Sequence, residues 1–276
     1  QAVRCGEGLF FGLGCLVKFP ADFTAAPHSV VAAGVTTLPQ RLEFPFSLIN
    51  TPTESIESIN KFSPALNELA PAWVLRHSLY QVRRNDEKHR QRDRARHDVL
   101  HADAFSPRTI QLMQAALGRL EAAPQQAIYT VSDIAGLGKN LMTRGALEEA
   151  VETYRFFITW YPLRAVKQRL ETAGAKAAGP EGADCLREDP DDLGWTLARQ
   201  LLDGRTDIPA MLEELRDAER RMAESVETSK RKDDERMARI FEGSVPASTP
   251  AEEDALVRLT WDAYEQLSQE IDVLLD

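Results

Sequence analysis

Reactive chemistry in this sequence rests on a few scattered polar groups. Lys18, Arg41, Glu43 and Asn50 interrupt an apolar, proline-rich N-terminal stretch. Arg41 is suited to bidentate capture of a phosphate or carboxylate, and Lys18 to neutralising it as a point charge. The competing reading pairs these residues with groups elsewhere in the chain, making them fasteners. His28 has the right type for a general base near neutral pH. It follows Pro27, with no orienting carboxylate beside it, which equally describes an ordinary surface residue. Gly136-Leu137-Gly138-Lys139-Asn140 offers backbone N–H groups for an anion, so Lys139 and Asn140 join the substrate-binding candidates. Its spacing departs from GxxxxGK[ST], so the alternative is a corner that needs glycines at positive φ.

Arg76 opens a basic run through Arg83, Arg84, Lys88, Arg90, Arg92, Arg94 and Arg96. The run could bind an anionic substrate or RNA, but aromatic residues for base stacking stop at Tyr80. Pairing with the acidic 213–235 segment is the plainer account. His97 and His101 have the i, i+4 spacing of metal ligands on a helix, but no HExxH pattern accompanies them and the surroundings are rich in arginine. No metal site is expected.

The totals narrow the classes. The chain has 276 residues, 43% hydrophobic and 28% charged, with a net charge of −10. This is enough to bury a sizeable core. The acidic balance argues against general nucleic-acid binding. Cys5, Cys15 and Cys185 are too few and too scattered for a disulfide framework, which points to a reducing cytoplasm. No apolar run approaches the roughly 18 residues of a membrane span. The start resembles no signal peptide and lacks an initiator Met, so a preceding N-terminal part is expected to be missing.

These candidates must be positioned by two kinds of structure. Residues 1–50 hold five of the 15 glycines and short apolar pieces such as Leu9-Phe10-Phe11 and Cys15-Leu16-Val17. Such regularly interrupted pieces predict a β-solenoid. Residues 51–64 have linker chemistry, with Thr51-Pro52-Thr53 and Ser63-Pro64. From 65 to 276 the spacing predicts helices: 65–98 with a break near Pro71, one opening at Ser106-Pro107, one near Ser132, and 146–173 kinked at Pro162. Further helices are expected over 191–202, 209–241 and from Thr249-Pro250 to the end. Ser229–Arg236 sets Lys230 against Asp234 and Arg231 against Glu235 at i, i+4.

Ser29-Val30-Val31-Ala32-Ala33-Gly34-Val35-Thr36-Thr37 resembles the last coil of hexapeptide-repeat acyltransferases. The phrases Gly6–Gly14, Val17–Pro20, Gly34–Gln40, Glu43–Asn50, Pro71–Leu75, Arg83–Asn85, Gly136–Asn140 and Ser229–Arg236 resemble an uncharacterised bacterial family. Its members join a left-handed β-helix to a helical C-terminal domain. The fold that the resemblance implies is mainly α with an N-terminal β part: the end of a left-handed parallel β-helix, then a multi-helix domain. The function it implies is the C-terminal part of an acyltransferase-like protein acting on a sugar or nucleotide-sugar. Acyl-CoA or a nucleotide-sugar would be the ligand, and a homo-oligomer, by resemblance a trimer, the assembly. The alternative is a non-catalytic helical module for assembly or partner binding. No family catalytic residue maps onto this chain.

Overall fold

The computed structural model describes residues 2–52, 66–92, 103–241 and 249–276. The chain divides into two compact units. The first comprises residues 1–76 and 104–157, the second residues 77–103 and 158–276. The expected boundaries near 50 and 64 therefore do not separate the units, because the first unit draws on residues well past both.

Among the described residues, the strands all belong to the first unit. They are β1 (Val3–Arg4), β2 (Phe10–Phe11), β3 (Leu16–Val17), β4 (Ala21–Asp22), β5 (Val30–Val31), β6 (Thr36–Thr37), β7 (Gln40–Arg41), β8 (Leu48–Asn50), β9 (Asn67–Ala70), β10 (Ile128–Tyr129) and β11 (Asn140–Thr143). Three sheets result, in the orders β1-β4-β7, β10-β11-β9-β8-β5-β2 and β3-β6. Within residues 3–50 the pairs are parallel: Val3 with Ala21 and Ala21 with Gln40, Phe10 with Val30 and Val30 with Leu48, Leu16 with Thr36. Side chains alternate along each strand, and paired residues share a face. Val31 and Ile49 point inward and are 0% and 1% exposed, while Phe10 points outward at 56%.

The expectation of a left-handed parallel β-helix ending near Leu38 is corrected by this topology. The six-stranded sheet is mixed: β8 pairs with β9 antiparallel, β9 with β11 parallel, and β11 with β10 antiparallel. The β structure thus continues to Thr143 and is woven with helices. The physical reason lies in Asn67-Glu68-Leu69-Ala70, predicted as helix. It alternates half-buried and buried side chains with period two, and Leu69 opposite Ile49 seals the core. Pro71-Ala72, with Ala72 at φ 57°, then turns the chain out of the sheet.

The helices are α1 (Trp73–His77), α2 (Leu79–Arg92), α3 (Pro107–Glu121), α4 (Arg144–Ala173), α5 (Pro180–Cys185), α6 (Leu193–Leu202), α7 (Ile208–Ile240) and α8 (Ala255–Leu275). About half of the chain is helical. Ser106 caps α3 through a hydrogen bond from the Thr109 N–H, with Pro107 at the first position, as the sequence predicts. The helix expected near Ser132 is instead a turn that leads into β11. Pro162 does not break α4, which runs through it. Buried Trp160, Leu163, Val166 and Leu170 hold that turn to the core of the second unit despite the missing N–H.

In the first unit Phe23, Leu42, Phe44, Phe46, Ile110 and Met113 are fully buried, and the rings of Phe46, Phe105 and Phe157 stack at 5.6 and 5.0 Å. Each such side chain contributes about 2–3 kcal/mol by leaving water. In the second unit α7 packs on α2 and α8 through Met211, Leu215, Met222, Val226, Val257 and Ile271. Lys230 pairs with Asp234 as its spacing predicts, whereas Arg231 turns to Glu227 (2.6 Å) and Glu252 (3.3 Å).

Candidate functional site

The sequence candidates converge at one place in the first unit, where the Gly136–Asn140 loop meets β7. Gln40 is buried on β7 and its Oε1 accepts from the Lys139 N–H (3.1 Å) and from Asn140 Nδ2 (2.7 Å). Asn140, 1% exposed, also donates Nδ2 to the Leu137 carbonyl (2.6 Å). The Lys139 N–H demands an acceptor and the Leu137 carbonyl a donor, so the orientation of both amides is determined. The loop can approach this closely only because of its glycines. Gly138 has φ +66°, and a Cβ there would lie 2.4 Å from Gln40 Oε1. Gly136, at φ +89°, would bring a Cβ to 2.9 Å from the Glu43 Cβ.

Glu43 is the electrostatic centre of this junction. Its N–H donates to the Gly136 carbonyl (3.0 Å). Its carboxylate bridges two guanidinium groups, Arg41 through Nε (2.7 Å) and Arg119 through Nη1 (2.6 Å). Arg119 also donates Nη2 to the Glu43 carbonyl (2.8 Å) and lies over the Phe44 ring at 5.1 Å. One carboxylate is thus shared by two arginines, with a charge-assisted hydrogen bond on each oxygen. The arrangement locks a loop onto a strand. It leaves the outer guanidinium nitrogens of Arg41 toward solvent, the side chain being 70% exposed.

The structure therefore brings Arg41, Lys139 and Asn140 together and separates the other candidates. Lys18 is exposed just beyond β3, in a different sheet, with its N–H on the Thr37 carbonyl (3.1 Å). Arg76 pairs with Glu152 (2.8 Å) and Glu149 (3.7 Å) of α4, not with the 213–235 helix. His28 sits at φ 56° with its ring stacked on Phe46 at 5.0 Å. A Cβ on Gly8 would come within 2.1 Å of its Nδ1, so the histidine is wedged into the fold. His97 and His101 lie outside the described residues, as do Arg94 and Arg96 of the basic run. Among the described residues no group of three or more metal-ligating side chains occurs, and no helix is long and apolar enough to cross a membrane.

Sequence reasoning missed Gln40 and Arg119. Gln40 reads as a polar strand residue beside Pro39, and its inward direction follows only from its register with Ala21. Arg119 gave no signal, since a lone arginine late in a helix is ordinary. Compared with known proteins, the chain matches no family model, no curated protein and no solved structure.

Proposed function

We propose that this protein is a non-catalytic assembly module that self-associates through the open side of β1, β2 and β3. The observation that carries this reading is that, among the described residues, each of these strands is the outer strand of its sheet, with large apolar side chains exposed. Leu13 is 91% exposed, Phe10 56% and Leu16 55%, and Val3 and Phe19 add to the patch. Exposed apolar residues clustered on strand edges mark interaction surfaces. Backbone groups are available as well. Phe10 and Gly12 donate N–H to Ser29 and Val31, and Leu16 and Lys18 to Val35 and Thr37. Alternation then turns the N–H and C=O of Phe11 and Val17 outward.

A second copy fits this edge by symmetry. In a two-fold contact, residue i meets j and j meets i. Phe10 and Leu16 lie symmetrically about the turn tip at Leu13, and Glu7 and Lys18 lie beyond them on either side. An axis through Leu13 sets Phe10 of one copy against Leu16 of the other. Equilibrium sedimentation tests the proposal: Phe10→Lys with Leu16→Lys is expected to yield monomers with an unchanged circular dichroism spectrum.

The transferase reading on a sugar or nucleotide-sugar has less support. Asn140, the Lys139 N–H and Arg76 are occupied by contacts within the first unit, and His28 is stacked against Phe46.

A further inference from the structure

A groove of 510 Å³ lies on the outer face of the sheet β1-β4-β7 and reaches its open-edge strand β1 through Arg4. Register sets Arg4 beside Asp22, and Asp22 beside Arg41. Adjacent strands lie about 4.8 Å apart, so the two arginines flank the carboxylate across about 10 Å. Pro20 and Pro39 precede the paired residues Ala21 and Gln40 and form an exposed, rigid apolar wall along the same groove.

The polar groups of this face have capacity to spare. Arg4 is exposed and forms no ion pair with a described residue. Arg41 engages Glu43 through Nε, leaving both terminal nitrogens as donors. Asp22 Oδ1 accepts from the Thr24 hydroxyl (2.6 Å) and the Thr24 N–H (3.0 Å), which leaves Oδ2 as an acceptor. Those two bonds from Thr24, aided by Arg41 and Arg4, hold the Asp22 carboxyl below the usual carboxylate range. Asp22 is therefore an acceptor at any physiological pH.

We propose that this groove binds a sugar phosphate, with the phosphate on Arg4, sugar hydroxyls donating to Asp22 and accepting from Arg41, and the C–H face of the ring against Pro20 and Pro39. The ionised carboxylate at the centre decides the ligand class. It repels an anion placed midway between the arginines, so inorganic phosphate or a polyphosphate gains from one guanidinium and loses to Asp22. A sugar phosphate keeps its charge at one end and offers hydroxyls where the carboxylate needs donors. This goes beyond self-association: it shares strand β1 with the open edge but uses the side chains on the sheet's outer face.

Isothermal titration of the whole chain with glucose 1-phosphate, inorganic phosphate and glucose tests the site. Glucose 1-phosphate is expected to bind at least about tenfold more tightly than either fragment, since each charge-assisted contact contributes roughly a factor of ten or more. Arg4→Gln and Arg41→Gln each weaken it by about tenfold, and Asp22→Asn raises affinity for inorganic phosphate while lowering it for glucose 1-phosphate. All three side chains are at the surface, and unchanged melting temperatures confirm folding. Equal affinity for glucose 1-phosphate and inorganic phosphate, no binding at millimolar concentration, or indifference to the three substitutions would overturn the proposal, whatever the oligomeric state.

Discussion

Asn140 illustrates how a residue typed for ligand binding serves the fold. Its amide is buried and spans Gln40 and the Leu137 carbonyl, while the neighbouring Lys139 N–H takes the second position on Gln40. Asn140→Ala removes two buried hydrogen bonds and leaves their acceptors short of a donor. A loss of about 1–3 kcal/mol in denaturant-induced unfolding of the first unit is expected; no loss would mean that the loop is not anchored there. A second residue supplies a pH signature in the second unit. Tyr80 donates to Asp254 Oδ2 (3.0 Å), whose Oδ1 accepts from the Leu256 and Val257 N–H groups and so caps α8. Burial, then the hydrogen bond to Asp254, pushes the phenol up to about 12 from an ordinary 10.0. The folded state holds this proton more tightly than the unfolded state. The stabilisation is therefore complete below pH 10 and lost as pH rises from 10 to about 12. Thermal melts across that window should show the loss in the native protein and a smaller one in Tyr80→Phe. Identical profiles would exclude Tyr80 as its source.

Elements were legible where one local rule governed them. The Ser106-Pro107 start of α3 follows from capping, and the spacing of the α7 and α8 apolar positions from periodicity, but α8 opens at Ala255 with Asp254 as its cap and not at Thr249-Pro250. Asn67–Ala70 was not legible, because its partners β8 and β11 come from distant parts of the chain and overrode a plausible helix. Arg41, Lys139 and Asn140 stood out in the sequence as binding candidates. Their meeting at Gln40 and Glu43 was hidden, since it depends on the register of β7 and on a close approach that only glycine allows. Long-range ion pairs show the same limit. Lys167 on α4 is buried between Glu171 (2.5 Å) and Glu270 of α8 (2.7 Å), and only the first partner is local in sequence. Burial pulls its ammonium down, but the hydrogen bonds it donates to Glu171 and Glu270 outweigh this and hold it above its ordinary value. Lys167→Ala breaks the link between α4 and α8. Because both carboxylates are partly exposed, a loss of about 1–2 kcal/mol is expected in urea unfolding of the second unit. An effect below the precision of the measurement would show that apolar packing alone joins these helices.

At the scale of the whole molecule, the first unit presents two surfaces that meet at β1. The open edge of β1, β2 and β3 exposes apolar side chains around Leu13, and the Arg4–Asp22–Arg41 face is charged and grooved. Assembly is the central claim, and the pairing of Phe10 with Leu16 is its most specific element. Phe10→Glu alone and Leu16→Lys alone each set a charge against an apolar partner in the two-fold contact, while the double variant sets opposite charges together. Equilibrium sedimentation of the native protein, the two single variants and the double variant is the most direct measurement. The account predicts oligomer for the native protein, weakened association for each single variant and recovery in the double. A native protein that stays monomeric at high micromolar concentration, or a double variant no stronger than the singles, would contradict it.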